Sequence, residues 1–357
     1  MKYFTILTMV VVLMCTTSSC SSDGNGDDDA GADAATDTDS DADLPWLEPD
    51  DIDFEEVDPP MSGSFIYWGE WGNTCDTLHM ITPDGLTAGV RFTLNRLWSF
   101  GVAGDGVTIA FSSVDPYQEE NWDLTIGDAV QYTWLLEGGE APVQITSGSI
   151  NDECHNFAPG DETLFLCRRA NFFQEIVDDT LNFGSDPYRI MTHVLDGAEE
   201  FWLTPLEAGI SDIGPVLLGD GSILFWRQEP SGSSFMQSLM RMEEDGSNVE
   251  YILQSATGPT VSPDETLVAY RLSWSSLVVA DQADLTGGET ILESTTGNLT
   301  DLSFSPDSTR IALLQGREDD TCSDLWVVDV DGSNATMLVD CVDDGVFPNG
   351  LQWVQAD

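Results

Sequence analysis

Phe304-Ser305-Pro306-Asp307 stands just ahead of the apolar run Ile311-Ala312-Leu313-Leu314. Leu325-Trp326-Val327-Val328-Asp329 then leads through Asp331-Gly332-Ser333-Asn334 into Thr336-Met337-Leu338-Val339. The segment therefore reads as four short strands with turn residues between them. Asp-Gly between two β-rich runs signals a hairpin, because glycine accepts the positive φ that such turns demand. The same turn recurs as Asp245-Gly246-Ser247-Asn248. Working outward from this unit, the first half of the pattern appears four more times. Val261-Ser262-Pro263-Asp264 precedes Leu267-Val268-Ala269-Tyr270, and Val216-Leu217-Leu218-Gly219-Asp220 precedes Ile223-Leu224-Phe225-Trp226. Phe157-Ala158-Pro159-Gly160-Asp161 precedes Leu164-Phe165-Leu166, and Gly101-Val102-Ala103-Gly104-Asp105 precedes Thr108-Ile109-Ala110-Phe111.

The five turn aspartates lie 43 to 59 residues apart. A period near 40 to 50 with four strands per unit is the signature of a β-propeller; solenoid repeats run shorter. The fold expected is therefore all-β. Ser-Pro-Asp, an Ile-Ala type strand and then Leu-Trp-Val-Val-Asp-Val-Asp-Gly-Ser-Asn resemble the repeat of TolB-like, WD-repeat-like propellers. The match is sharpest over residues 257–345 and extends over everything after residue 62. TolB proper carries an α/β domain ahead of its propeller, whereas an acidic spacer occupies that place here, so a role in the Tol system does not carry over.

The chain ends with Gly350-Leu351-Gln352-Trp353-Val354-Gln355-Ala356-Asp357, which matches a blade's first strand and stops at its turn aspartate. The domain begins with Ser62-Gly63-Ser64-Phe65-Ile66-Tyr67-Trp68, which matches a second strand. The two ends together make one blade, so that pairing Leu351–Val354 with Phe65–Trp68 closes a six-bladed ring and removes exposed sheet edges. A seventh blade would need a further repeat within the long stretch 151–210. The domains expected are 1–19 as a lipoprotein signal, 20–61 as a disordered acidic linker and 62–357 as the propeller.

The N-terminus sets the compartment. Lys2, an apolar run from Tyr3 to Met14, and Thr16-Thr17-Ser18-Ser19 before Cys20 make a secretory signal. The run is too short for the ~20 residues that span a bilayer. Cys20 after small residues resembles a bacterial lipobox, with Thr17 where the family has Leu, Val or Ile. The resemblance implies cleavage before Cys20 and its acylation; the alternative is plain secretion with Cys20 a bystander. In a Gram-negative host, Ser21 after the cysteine resembles the outer-membrane sorting pattern, which places the chain at the cell envelope. Residues 21–61 are mostly Asp, Ala, Thr, Ser, Gly and Pro, with Asp37-Thr38-Asp39-Ser40-Asp41-Ala42-Asp43 at the centre. Too little of this segment is apolar to offset the entropy of ordering, and its like charges repel. It lacks the turn glycine and terminal Glu of an EF-hand loop, so it reads as a tether.

The chain carries 64 Asp+Glu against 11 Lys+Arg, for a formal net charge of −53. Such a surface excludes nucleic acid as a partner and leaves the lipid anchor as the only membrane contact. Five cysteines follow Cys20. Cys154 and Cys167 flank the turn at Gly160-Asp161, and Cys322 and Cys341 flank the turn at Asp331–Asn334, so each pair is placed for a cross-strand disulfide in an oxidising compartment. Cys75 sits in the first blade where Cys322 sits in the last, without a counterpart of Cys341, and is expected to be a free thiol, with intermolecular pairing as the alternative.

Little catalytic chemistry is legible. His79, His155 and His193 have no metal-ligand spacing and fall in what the repeat makes three different blades. There is no Gly-x-Ser-x-Gly elbow. No catalytic group, metal or cofactor is expected. Trp71, Trp122, Trp134 and Trp202 lie beside loops, as a candidate surface for stacking a sugar or peptide. The function expected is a binding module or scaffold for an envelope protein or glycan, with a lyase or hydrolase acting through the central channel as the alternative.

Overall fold

The computed structural model describes residues 63–356 apart from short breaks, the longest at 115–130 and 343–349. Every regular element among the described residues is a β-strand. The first sheet takes β1 (Gly63–Glu70), β2 (Asp76–Ile81) and β3 (Ala88–Leu94) from the start of the domain, and β26 (Leu351–Ala356) from its end. The next strands are β4 (Leu97–Val102), β5 (Ile109–Val114), β6 (Gln131–Leu136) and the short β7 (Val143–Gln144). They join β8 (Ile150–Phe157), β9 (Thr163–Ala170), β12 (Arg189–Val194) and β13 (Glu199–Trp202) through a single parallel pair, Gln131 with Asn151. A separate hairpin, β10 (Phe173–Val177) with β11 (Thr180–Gly184), is inserted between β9 and β12. That hairpin lies within the long stretch 151–210.

Three regular antiparallel sheets follow. They are β14 (Ser211–Leu217) to β17 (Glu250–Gln254) by way of β15 (Ile223–Ser231) and β16 (Ser234–Met242); β18 (Ala256–Val261) to β21 (Asp284–Glu293) by way of β19 (Leu267–Leu272) and β20 (Ser276–Asp281); and β22 (Leu299–Phe304) to β25 (Thr336–Val339) by way of β23 (Arg310–Gly316) and β24 (Ser323–Asp329).

The recurrent Ser-Pro-Asp turn has a direct chemical basis. The Ser262 hydroxyl donates to Asp264 Oδ1 at 2.6 Å and accepts the Leu267 N–H at 2.9 Å, while the same carboxylate takes the Thr266 hydroxyl at 2.9 Å. Ser305, Asp307, Thr309 and Arg310 repeat this arrangement bond for bond. Asp264 and Asp307 are held below the usual carboxylate range, chiefly by the Ser262 and Ser305 hydroxyls respectively. These aspartates are occupied within their own turns, as hairpin residues should be.

The core lies between neighbouring sheets. Phe65, Tyr67 and Leu78 of the first sheet pack on Phe100, Phe111 and Trp134. Ala110 meets Leu164, Leu166 and Met191; Phe165 and Ile190 meet Phe225 and Met240; Leu224 meets Val268 and Tyr270; and Ala269 meets Ile311 and Leu313. The last sheet packs back on the first, with Leu314 and Leu325 against Ile66, Trp68 and Trp353.

Strand β26 runs antiparallel to β1, with Phe65 opposite Val354 and Trp68 opposite Leu351. It also bonds both flanking sheets, one through a side chain and one through its backbone. The Val102 N–H donates to Gln352 Oε1 at 2.6 Å, the Trp353 N–H donates to Ser303 Oγ at 2.9 Å, and the Trp353 indole N–H donates to Ser64 Oγ at 2.6 Å. Trp353 thus joins three strands while burying its ring. Trp353→Ala is expected to destabilise the domain by about 3–5 kcal/mol, the usual cost of truncating a buried aromatic. Urea unfolding checks this; a loss under about 1 kcal/mol would mean that the last strand is peripheral to the fold.

Candidate functional site

One cavity of about 490 Å³ opens where β4, β8, β14, β18, β22 and β26 converge. Five of these strands, all but β26, shift register against their neighbours, at Leu97/Ser99, Glu153/Asn156, Ile213/Val216, Thr257/Thr260 and Leu299/Leu302. A bulge of this kind bends a strand and re-aims its side chains. Three of the shifted segments contain a residue at positive φ: Cys154 at 57°, Gly214 at 63° and Gly258 at 57°. The glycines are required by space as well as by φ. A Cβ on Gly214 would lie 3.2 Å from the Trp226 ring, and one on Gly258 would lie 2.7 Å from the Arg271 guanidinium.

The bulges bring charged groups into a mixed wall that includes the aromatic Trp98, Trp226 and Trp353 beside the polar Asn156, Thr260 and Gln352. Glu153 is enclosed there and accepts a hydrogen bond from the Tyr188 hydroxyl. Loss of hydration raises its pKa against the opposing pull of Arg169, whose guanidinium lies 3.9 Å from the Tyr188 ring centroid. Asp301 is shifted upward for the same first reason, partly offset by Arg271. His155 bonds Thr133 Oγ1 at 3.0 Å and Ser99 Oγ at 3.1 Å. Burial, reinforced by the Arg168 charge, lowers its pKa from the ordinary 6.5 to about 3.

Behind His155 runs a buried ionic network. Arg168 grips Asp152 with Nε at 2.6 Å and Nη2 at 2.9 Å, and Asp152 also accepts the Thr133 and Thr146 hydroxyls at 3.0 and 2.8 Å. Arg168 Nη1 reaches Glu200 at 2.8 Å. The Glu200 pKa falls to about 2, first through its bond with His193 and then through Arg168. Every acceptor in this network has a donor, as a buried charge requires.

No protein-family model matches the sequence, and no curated protein matches it. Among solved structures, the chain is similar to one described as TolB from Agrobacterium tumefaciens, with a TM-score of 0.54 and 14% identity over 79% of this chain and 90% of that one. The fold is a TolB-like β-propeller. A structure from a nidogen/laminin complex is also similar, with a TM-score of 0.55 and 10% identity over 83% of this chain and all of that one.

The propeller distributes the residues singled out from sequence unevenly. Cys154 and Cys167 form a disulfide with their Cα atoms 5.3 Å apart. Cys167 stands opposite Glu153 in the ladder, so the bulge at Cys154 is what turns its sulfur across. Cys322 is disulfide-bonded, whereas Cys20, Cys75, Cys341, Trp71 and Trp122 lie outside the described residues. Trp134 corrects the expected stacking surface. It sits on β6 with 4% of its surface exposed, inside the core shared with the first sheet. Strand β6 is covered on both faces, since Thr133 and Leu136 are buried as well, and that rather than nearness to a loop decides the burial of Trp134. Trp202 is 42% exposed, on the outer strand β13, with the Arg189 guanidinium 3.5 Å from its ring centroid.

The histidines also need a correction. His155 and His193 belong to one sheet, on β8 and β12, because both strands pair with β9. They serve different partners, however, and His79 stacks on Trp68 with the ring centroids 5.1 Å apart. Sequence reasoning missed Glu153, Arg271 and Asp301. One signal was available: counting six residues back from each turn aspartate reaches Ser99, His155, Gly214, Gly258 and Asp301, all on the cavity wall.

The depressed His155 pKa has a definite sign. The unfolded chain takes up this proton near pH 6.5 and the folded chain only near pH 3, so this residue withdraws stability as the pH falls through that window. In a pH titration followed by NMR, the His155 imidazole should show no protonation step near pH 6.5 while the domain stays folded. A midpoint near 6.5 would contradict its burial between Ser99 and Thr133.

Proposed function

We propose that this chain is an exported binding module of the bacterial cell envelope. In this reading acylated Cys20 anchors it in the membrane, residues 20–61 form an acidic tether, and a closed six-bladed propeller receives part of an envelope protein or glycan. Six apolar cores that run in a cycle, five between sheets and one between the β4–β7 and β8–β13 parts of the eight-stranded sheet, support the six-bladed ring, as does the pairing of β26 with β1. The lipobox-like run before Cys20 supports the anchor.

The observation that carries the binding reading is the cavity itself. It has the size of a small-ligand pocket and aromatic walls, and a few charged groups converge on it from separate sheets. The histidine on its wall is held neutral between two hydroxyls and is poorly suited to exchange a proton near neutral pH.

The test is capture from detergent-solubilised envelope by the mature chain, beside a Thr260→Trp variant that fills the cavity with an indole. A protein or polysaccharide retained by the unaltered chain and lost by Thr260→Trp supports the reading. Equal retention by both overturns the role of the cavity. The anchor has its own test: Cys20→Ala should move the protein from the membrane to the soluble fraction, and persistence in the membrane fraction would contradict acylation.

A further inference from the structure

Arg271 is a buried cation whose hydrogen-bonding capacity is largely unused. It projects from β19 and contributes to the cavity wall. Its Nη1 donates to the Leu299 carbonyl at 3.1 Å, and its Nε has no partner. Asp301 attracts it electrostatically without hydrogen-bonding it. Beside it, the Thr300 hydroxyl, also on the cavity wall, lacks a partner, as does the hydroxyl of Thr257 directly across the strand pair. An arginine can only donate, and leaving a buried charge without acceptors is costly.

The surroundings hold the guanidinium in place instead of relieving it. Trp274 adopts φ +66°, a conformation rare for a bulky residue, and presents its ring 4.8 Å from the Arg271 guanidinium carbon. Gly258 leaves only enough room for the guanidinium, since any Cβ there would come within 2.7 Å of it. Strain and lost packing that maintain an unpaired group are characteristic of a site that awaits a partner.

We propose that Arg271 anchors a carboxylate-binding site in the cavity wall, which takes a small ligand or a chain end bearing a single carboxylate. The planar fork of the guanidinium matches a carboxylate bidentately, and Thr300 adds a neutral donor beside it. Glu153 and Asp301 on the same wall disfavour a dianion such as phosphate, which leaves a singly charged carboxylate as the better match for one guanidinium. Trp98, Trp226 and Trp353 supply apolar surface for the rest of the ligand. The inference rests on the cavity-binding reading above and gives it a chemical specificity.

The experiment is calorimetric titration of the mature chain with two matched probe pairs: glucuronate against glucose, and a free tripeptide against its C-terminal amide. At least one carboxylate probe should bind with a Kd of about 1 mM or tighter, and its neutral counterpart at least about tenfold more weakly. The pair that shows the preference identifies the source, an acidic sugar or a peptide terminus. Arg271→Gln should abolish the preference, and Arg271→Lys, which keeps the charge without the fork, should weaken it. Circular dichroism verifies that each variant is folded; if Arg271→Gln does not fold, the probe pairs on the unaltered chain still decide. Equal binding within both pairs, no binding of either carboxylate, or a preference that persists in Arg271→Gln overturns the assignment. Envelope capture that is lost in Thr260→Trp but unchanged in Arg271→Gln overturns it too, while leaving the broader binding reading intact.

Discussion

The contact between the last sheet and the first is the interaction on which the rest of the domain depends. Among the described residues, each of the four-stranded sheets contributes side chains to two apolar cores, one shared with each neighbour. Without β26, the first sheet would lose the strand that joins it to β22 and β4, and Ile66, Trp68, Leu314 and Leu325 would lose Trp353 from their shared core. Burying side chains of this size contributes about 1.5–3 kcal/mol each, so this one interface is comparable to the whole net stability of an ordinary domain. Because β26 comes from the far end of the chain, that contribution arrives only when the final residues dock.

The same arrangement separates the two ends of each first strand into different chemistries. At the turn end, Ser-Pro-Asp residues satisfy one another within five positions, which makes them rigid and chemically quiet. Six residues earlier the strands are bulged, and there hydrogen bonds run between one first strand or its partner and the next unit: His155 to Ser99, Asn156 to the Pro215 carbonyl, and Arg271 to the Leu299 carbonyl. The Asp152–Arg168 network is the fully satisfied version of this polar interior, and Arg271 is the incomplete one. Two buried arginines in one propeller thus differ in kind: Arg168 is spent on structure, and Arg271 retains donors for something else.

Much of the architecture was legible in the sequence because it rests on local chemistry that repeats. The turn aspartates, the Asp-Gly hairpins and the complementary chain ends are each encoded within a few residues, and the β1–β26 register follows from matching the ends to a complete unit. The disulfide between Cys154 and Cys167 was visible for the same reason. The cavity was not, because Glu153, Arg271 and Asp301 come from different units and meet only when three sheets converge. Trp134 was misread because nearness to a loop does not show that neighbouring strands cover both faces of β6. His193 was assigned to a different unit from His155 because nothing local in the sequence shows that β12 returns across the β10–β11 hairpin to pair with β9.

Native-state hydrogen exchange, read residue by residue, tests the central claim that β26 closes the propeller. If closure is integral to the fold, the hydrogen-bonded amides of 351–354 and their β1 partners will exchange only through global unfolding, with the same free energy as the amides of β23. If the 351–354 amides instead exchange by local fraying at a much lower free energy while β23 stays protected, the last strand is an appendage and the account of the fold is wrong.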